Sequence, residues 1–245
     1  MARLPPFHWW RTVFYLIPAI SLYTIVLGTV SMLSSLFDST GDFGHRCARA
    51  WGWLVLKTTG VRVTVRGAER LDRSRSYVFA SNHQSIYDIP IAFASLPVQL
   101  RIIAKDSLGR FPFLGWHLRR TGHLLVDRRN PGPGILKKMA RLVSGARSLI
   151  VFPEGTRSQD GAVGRFKGGS FLIAIDAGLP VVPVSIAGSR FVMLKGRLMT
   201  CPGDVTLTVH EPLSTTGITR EHARELAERV KEIVRRDVDE PAEAR

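Results

Sequence analysis

Two hydrophobic patterns divide the chain. Between Arg11 and Asp38 no charged residue occurs, so Thr12 to Phe37 is a 26-residue uncharged run rich in Leu, Ile, Val, Phe and Tyr. As a helix it measures about 39 Å, enough to cross a hydrocarbon core of about 30 Å with tilt. The run exceeds a signal-peptide core and no small-residue cleavage site follows it, so it is read as retained. Pro18 and Gly28 permit a kink, and a hairpin dipping into one leaflet competes with a full span. Trp9, Trp10 and Tyr15 suit a membrane interface. Phe43 to Lys57 then predicts an amphipathic helix. Phe43, Cys47, Ala50, Trp51, Leu54 and Val55 form its apolar side, opposite Arg46, Arg49, Trp53 and Lys57. Such a helix suits either a membrane interface or packing on a domain.

From Gly60 the period changes to short strands interleaved with helices. Val61, Val63 and Val65 alternate with Arg62, Thr64 and Arg66, a half-exposed strand. Further strands are predicted at Tyr77–Ala80, Leu100–Ala104, His123–Val126, Leu149–Phe152, Val181–Ile186 and Val205–His210. Helical or mixed segments fall at Ile86–Ser95, Leu108–Arg120, Ile135–Gly145 and Gly169–Ala177, and Thr219 can cap a last helix running through Val238. The expected fold is α/β, a largely parallel mixed sheet flanked by helices, preceded by an N-terminal hydrophobic membrane-associating helical segment. Residues 1–59 make up that segment and residues 60–245 the α/β domain.

Composition sharpens this picture through charge. The formal net charge is +14 and the isoelectric point near 10.8, which asks for an anionic partner. The excess is concentrated at +11 over residues 61–150 and is zero over residues 151–245. There is no zinc-finger spacing, RNA-recognition aromatic motif or basic repeat, and an apolar N-terminal run is a poor companion for nucleic-acid binding. Cys47 and Cys201, in unlike contexts, read as unpaired thiols of a reducing compartment, and no metal-ligand spacing occurs.

Candidate chemistry sits where predicted strands stop. Ser81-Asn82-His83-Gln84-Ser85-Ile86-Tyr87-Asp88 follows the buried strand at 77–80, the place where α/β proteins put their chemistry. A lone histidine in a polar turn also serves as a solvated or capping residue. Phe152-Pro153-Glu154-Gly155-Thr156-Arg157-Ser158 follows a second strand. There Pro153 and Gly155 force a turn that presents Glu154, Thr156 and Arg157, an arginine suited to bidentate grip on a phosphate. Lys105 and Arg128 follow two more strands. In a parallel sheet these four strand ends gather on one rim and set a base, His83 with Asp88, beside a cationic pocket. Arg165-Phe166-Lys167-Gly168-Gly169-Ser170 opens a further predicted helix whose amides would attract an anion.

Together these blocks resemble the glycerolipid acyltransferases of the PlsC type, the 1-acyl-sn-glycerol-3-phosphate acyltransferases. The resemblance rests on His83-x4-Asp88 within Asn82 to Asp88, on Lys105, on Gly122 to Arg128, on Phe152 to Ser158 and on Val182-Pro183-Val184, in the family's order across residues 60–190. It implies an O-acyltransferase moving a fatty acyl chain from acyl-CoA or acyl-carrier protein to the sn-2 hydroxyl of lysophosphatidic acid. The thioester is a co-substrate, and no cofactor or metal is expected. His83 would be the general base and Asp88 its orienter. Lys105, Arg128, Glu154, Gly155, Thr156 and Arg157 would bind the phosphate and glycerol, while Val182 to Val184 would shape a pocket. The implied setting is a phospholipid membrane, bacterial inner membrane in type, with the catalytic domain facing the cytoplasm. Other acceptors compete: lyso-ornithine lipid, other lysophospholipids or glycerol 3-phosphate. A non-catalytic basic lipid-surface binding protein is the rival of another class. A Ser-His-Asp hydrolase is disfavoured, because no Gly-x-Ser-x-Gly elbow exists.

Overall fold

The computed structural model describes residues 6–38, 40–126 and 147–239. Its apolar N-terminal run forms one helix, α1 (Phe7–Ser34). A turn of π-helix, Thr12–Leu16, sits just before Pro18. Proline lacks an amide hydrogen and its ring collides with the carbonyl four residues back; the widened turn absorbs both, so the helix continues. The break that Pro18 and Gly28 permit is therefore not made. Gly28 instead admits the backbone of Phe113, whose carbonyl oxygen lies 3.3 Å from where a Cβ would stand.

Along its length α1 is tied to the rest of the protein. Arg11 donates to the carbonyls of Thr58 and Thr59, Tyr23 bonds Thr58 Oγ1, Trp51 Nε1 donates to Thr24 Oγ1, and Ser31 Oγ meets His117 Nδ1 at 2.8 Å. Phe7, Phe14, Leu22, Val26 and Leu33 are exposed along α1, an extensive apolar surface.

Helix α2 (Asp42–Thr59) is present, but its buried face is rotated from the expected one. Gly44, Cys47, Ala48, Gly52, Val55 and Leu56 are buried, whereas Phe43 and Ala50 are exposed. The reason is close approach: a Cβ on Gly52 would stand 2.7 Å from the Pro90 carbonyl oxygen, a distance only glycine tolerates.

Strands β1 (Val61–Arg66), β2 (Val78–Ser81), β3 (Gln99–Lys105), β4 (Leu124–Val126), β5 (Arg147–Val151), β6 (Val181–Ala187) and β7 (Gly203–Val209) form one sheet, in the order β1-β7-β6-β2-β5-β3-β4. The five strands from β6 to β4 are parallel; β7 runs antiparallel to β6 and parallel to β1. This is the largely parallel mixed sheet that the strand–helix alternation predicts. Helices α3 (Asp88–Ser95), α4 (Leu114–Arg120), α5 (Leu172–Ala177), α6 (Ser189–Val192) and α7 (Ala223–Asp239) are the remaining α-helices among the described residues.

Strand β2 shows how the sheet divides the core. Phe79 joins Val55, Leu56 and Ile91 on one face, while Val78 and Ala80 join Phe171, Leu226 and Val230 on the other. Successive side chains alternate across a strand, so a run apolar at every position is a strand covered on both faces. The predicted C-terminal helix buries Ala223, Leu226, Ala227, Val230 and Val234, as its periodicity requires.

Two predicted helices are shorter than expected. Leu108–Arg120 divides into a 3-10 turn, Asp106–Arg110, and α4, because Pro112 interrupts the ladder between them. Gly169–Ala177 becomes a 3-10 turn, Gly168–Ser170, followed by α5. The helix expected at 135–145 lies outside the described residues.

Candidate active site

Strand β2 is buried throughout, and the chain leaves it at Asn82. Asn82 Nδ2 donates to the Ile186 carbonyl and its Oδ1 accepts from the Ile186 amide, at 2.9 and 2.8 Å. This two-way clamp to β6 locks the start of the turn. His83 follows in the turn, and Asp88 is the first residue of α3. A five-residue offset does not align side chains on a regular helix, so the intervening turn has to bring them together. It does so: His83 Nδ1 lies 2.7 Å from Asp88 Oδ2.

The same carboxylate oxygen also accepts the amides of Gln84 and Ser85, both at 2.9 Å. A carboxylate oxygen can only accept, so Nδ1 is the donor in this bond, and Nε2 is the ring nitrogen left for an acceptor substrate. Asp88 is fully buried, while the His83 side chain keeps 12% of its surface open. The orienting group is thus sealed, and the reactive ring stays reachable.

The second motif closes around the first. Phe152, just past β5, stacks on the His83 ring at a centroid distance of 4.2 Å. Glu154 Oε1 accepts the His83 amide at 2.9 Å, and the Ser158 amide donates to the His83 carbonyl at 2.8 Å. Burial raises the Glu154 carboxyl above its ordinary range, opposed by the amides of His83 and Gly164. Gly155 has φ +77, the left-handed region that favours glycine, and a Cβ there would meet Lys167 Nζ at 2.9 Å. Ser85 Oγ donates to the Met193 carbonyl, which ties the turn to the segment after β6.

Beside this dyad opens a cavity of about 640 Å³ whose lining includes Glu154, Thr156, Arg157, Arg165 and Lys167. Three cations face one space, a setting for a phosphate. Lys195 Nζ donates to Thr156 Oγ1 and to the Arg157 carbonyl at 3.1 and 2.7 Å, so it braces the loop from outside. Lys105 is exposed at the end of β3, two strands from β2, and does not line this cavity. Arg128 lies outside the described residues. Val182 and Val184 are fully buried and pair with β2, so they support the strand beneath His83 rather than line the cavity. Among the described residues no group of three His, Cys, Asp or Glu side chains could hold a metal ion. Both cysteines are free.

Several contributors are not evident from the sequence pattern alone. Phe152 and Asn82 sit inside the two motifs, but their partners belong to other strands. Lys167 is signalled only as part of the Arg165–Ser170 helix opening expected to attract an anion through its amides, and Lys195, 38 residues beyond Arg157, carries no local signal.

Residues 62–187, spanning β1 to β6, match the family profile described as Acyltransferase. Over 183 residues the chain is 34% identical to the chloroplastic 1-acyl-sn-glycerol-3-phosphate acyltransferase BAT2 of Brassica napus, covering 73% of this chain and 53% of that one. Over 176 residues it is 34% identical to 1-acyl-sn-glycerol-3-phosphate acyltransferase alpha of Mus musculus, covering 70% and 62%. The chain thus spans between about half and three-fifths of the length of these relatives. Its fold superposes on the crystal structure of the 1-acyl-sn-glycerophosphate (LPA) acyltransferase PlsC from Thermotoga maritima with a TM-score of 0.83 at 30% identity, covering 96% of this chain and 95% of that one. With the two strand-end motifs in contact on this sheet, the chain belongs to the PlsC-type glycerolipid acyltransferase family.

Proposed function

We propose that this protein transfers a fatty acyl chain from an acyl thioester, acyl-CoA or acyl-carrier protein, to the sn-2 hydroxyl of lysophosphatidic acid, giving phosphatidic acid. The observation that carries this reading is the His83–Asp88 pair opening beside a cavity lined by Arg157, Arg165 and Lys167. His83 Nε2 takes the proton of the acceptor hydroxyl as its oxygen attacks the thioester carbonyl carbon. Asp88 holds the ring and balances the imidazolium that forms. When the tetrahedral intermediate collapses, the carbon–sulfur bond breaks and the leaving thiolate takes the proton from Nε2, so the histidine ends as it began. Arg157, with Arg165 and Lys167, grips the acceptor phosphate, and Thr156 and Gly155 shape the loop against it. Glu154 fixes the backbone of His83.

The exposed apolar surface of α1 supports membrane association, with residues 1–59 as the segment that meets the lipid. Thioester donors are cytoplasmic, so the catalytic rim faces the cytoplasm.

Purified protein assayed with labelled acyl-CoA against lysophosphatidic acid, glycerol 3-phosphate, lyso-ornithine lipid and other lysophospholipids tests the acceptor. Lysophosphatidic acid should be preferred, and His83→Ala should abolish transfer while leaving membrane sedimentation intact. Preference for an acceptor without phosphate would overturn the acceptor assignment. Turnover retained by His83→Ala would overturn the mechanism.

A further inference from the structure

A second cationic cavity lies at the other end of the sheet, where α1 ends and β3 and β5 begin. It measures about 90 Å³, and its lining includes Ser34, Ser35, Gly41, Arg101, Arg120 and Arg147. Liquid water occupies about 30 Å³ per molecule, so the space suits one tetrahedral oxyanion rather than an organic ligand.

Arg101 forms its floor and is only 2% exposed. Its guanidinium donates to two backbone carbonyls, Leu100 at 3.2 Å and Thr40 at 3.3 Å. Among the described residues no carboxylate lies within ion-pair distance of it. A fully buried arginine ordinarily has an anionic partner, since an uncompensated buried charge is costly. Burial, and then the nearby Arg147, depress this guanidinium to about 10, and Asp42 and Asp38, beyond ion-pair distance, oppose that only in part.

The one carboxylate lining the cavity is already engaged. Asp38 Oδ1 accepts the amides of Thr40 and Gly41 and the Thr40 hydroxyl, and Oδ2 accepts the amide of Phe43. It builds the α1–α2 loop. The loop itself is shaped to the arginine: Gly41 has φ +73, and a Cβ there would stand 2.7 Å from Arg101 Nη2. Arg120 Nε, at the mouth, donates to Ser35 Oγ at 3.2 Å.

This cavity is separate from the acyl-transfer site. Arg101 pairs in register with Leu149, and Leu149 with Val78 at the start of β2. His83 lies five residues further along, about 16 Å at roughly 3.3 Å per residue. We propose that the Arg101–Arg120–Arg147 cavity binds a phosphate group, carried either by a phospholipid head or by free phosphate. Leu36 and Phe37, the latter 92% exposed, stand beside Ser35 at its mouth, where acyl chains of a lipid would lie.

Thermal unfolding of the full chain in a non-ionic detergent tests this, with inorganic phosphate or short-chain phosphatidylglycerol added and sodium chloride as the ionic-strength control. At least one phosphate compound should raise the unfolding temperature saturably. The Arg120→Gln/Arg147→Gln variant, altered only at partly open positions, should weaken that binding about tenfold or more. Tighter binding of the lipid identifies a headgroup site, and tighter binding of inorganic phosphate a free-anion site; either upholds the proposal. No effect beyond that of chloride, or an equal effect in wild type and variant, overturns it. The readout does not depend on acyl transfer, so it stands apart from the proposed reaction.

Discussion

His83 and Glu154, 71 residues apart in sequence, are joined by a 2.9 Å hydrogen bond from the His83 amide to Glu154 Oε1. With the Ser158 amide on the His83 carbonyl, both backbone groups of the histidine are held by the loop after β5. The dyad is therefore oriented from two sides: Asp88 sets the ring, and the Glu154 loop sets the backbone.

Glu154→Ala should leave the His83 amide without its acceptor, at a cost of about 1–3 kcal/mol in stability and a displaced ring. Glu154→Gln retains an acceptor oxygen and should unfold close to wild type. Chemical denaturation of both variants separates them; equal losses would mean that the carboxylate charge, not the hydrogen bond, is what the loop uses.

Asp88→Asn removes the charge that orients the ring and balances the imidazolium, with little change in volume. Acyl transfer should fall by roughly 10²- to 10⁴-fold in kcat, with circular dichroism unchanged. Near-normal turnover would place the proton transfer elsewhere.

Gly52→Ala tests the contact between α2 and α3. The new Cβ meets the backbone of Pro90 at 2.7 Å and that of Ala94 at 3.4 Å, so the helices must move apart. Alanine gains up to about 1 kcal/mol in helix propensity, and overpacking costs typically 1–3 kcal/mol. The net should be destabilising in denaturant titration, and a gain in stability would show that the helices separate freely.

Acidification should destabilise the fold through buried histidines. Burial, then Arg101, holds His117 at about 4, and burial, then Arg101 and Arg49, does the same for His45. The unfolded chain takes up these protons near pH 6.5 and the native state only near 4, so this stability is full above 6.5 and is lost as pH falls toward 4. Each histidine contributes at most about 3 kcal/mol. Thermal unfolding should show a clear drop between pH 7 and pH 5 that shrinks in His117→Asn; an undiminished drop would trace it to other groups.

The sequence by itself determined the α/β class, every strand among the described residues, the apolar N-terminal helix and the two motifs, because period-2 and period-3.6 patterns and strand-ending turns are local properties. The turn from His83 to Asp88 was legible for the same reason: both residues and the strand before them lie within a dozen positions. Tertiary structure alone decided the rest. Glycines at 44 and 52 turned α2 away from its apparent apolar face, since close backbone approach outweighs the burial of Phe43. A π-turn carried α1 through Pro18. The sheet order brought β5 beside β2, putting Phe152 on the His83 ring and Glu154 under its amide. Strand order is a choice among long-range pairings, and no local pattern encodes it. For that reason Lys195 joined the site only in three dimensions, the side chains of Arg165 and Lys167 line the cavity where the sequence suggested only backbone amides, and Lys105, expected at the same rim, stands two strands away from His83.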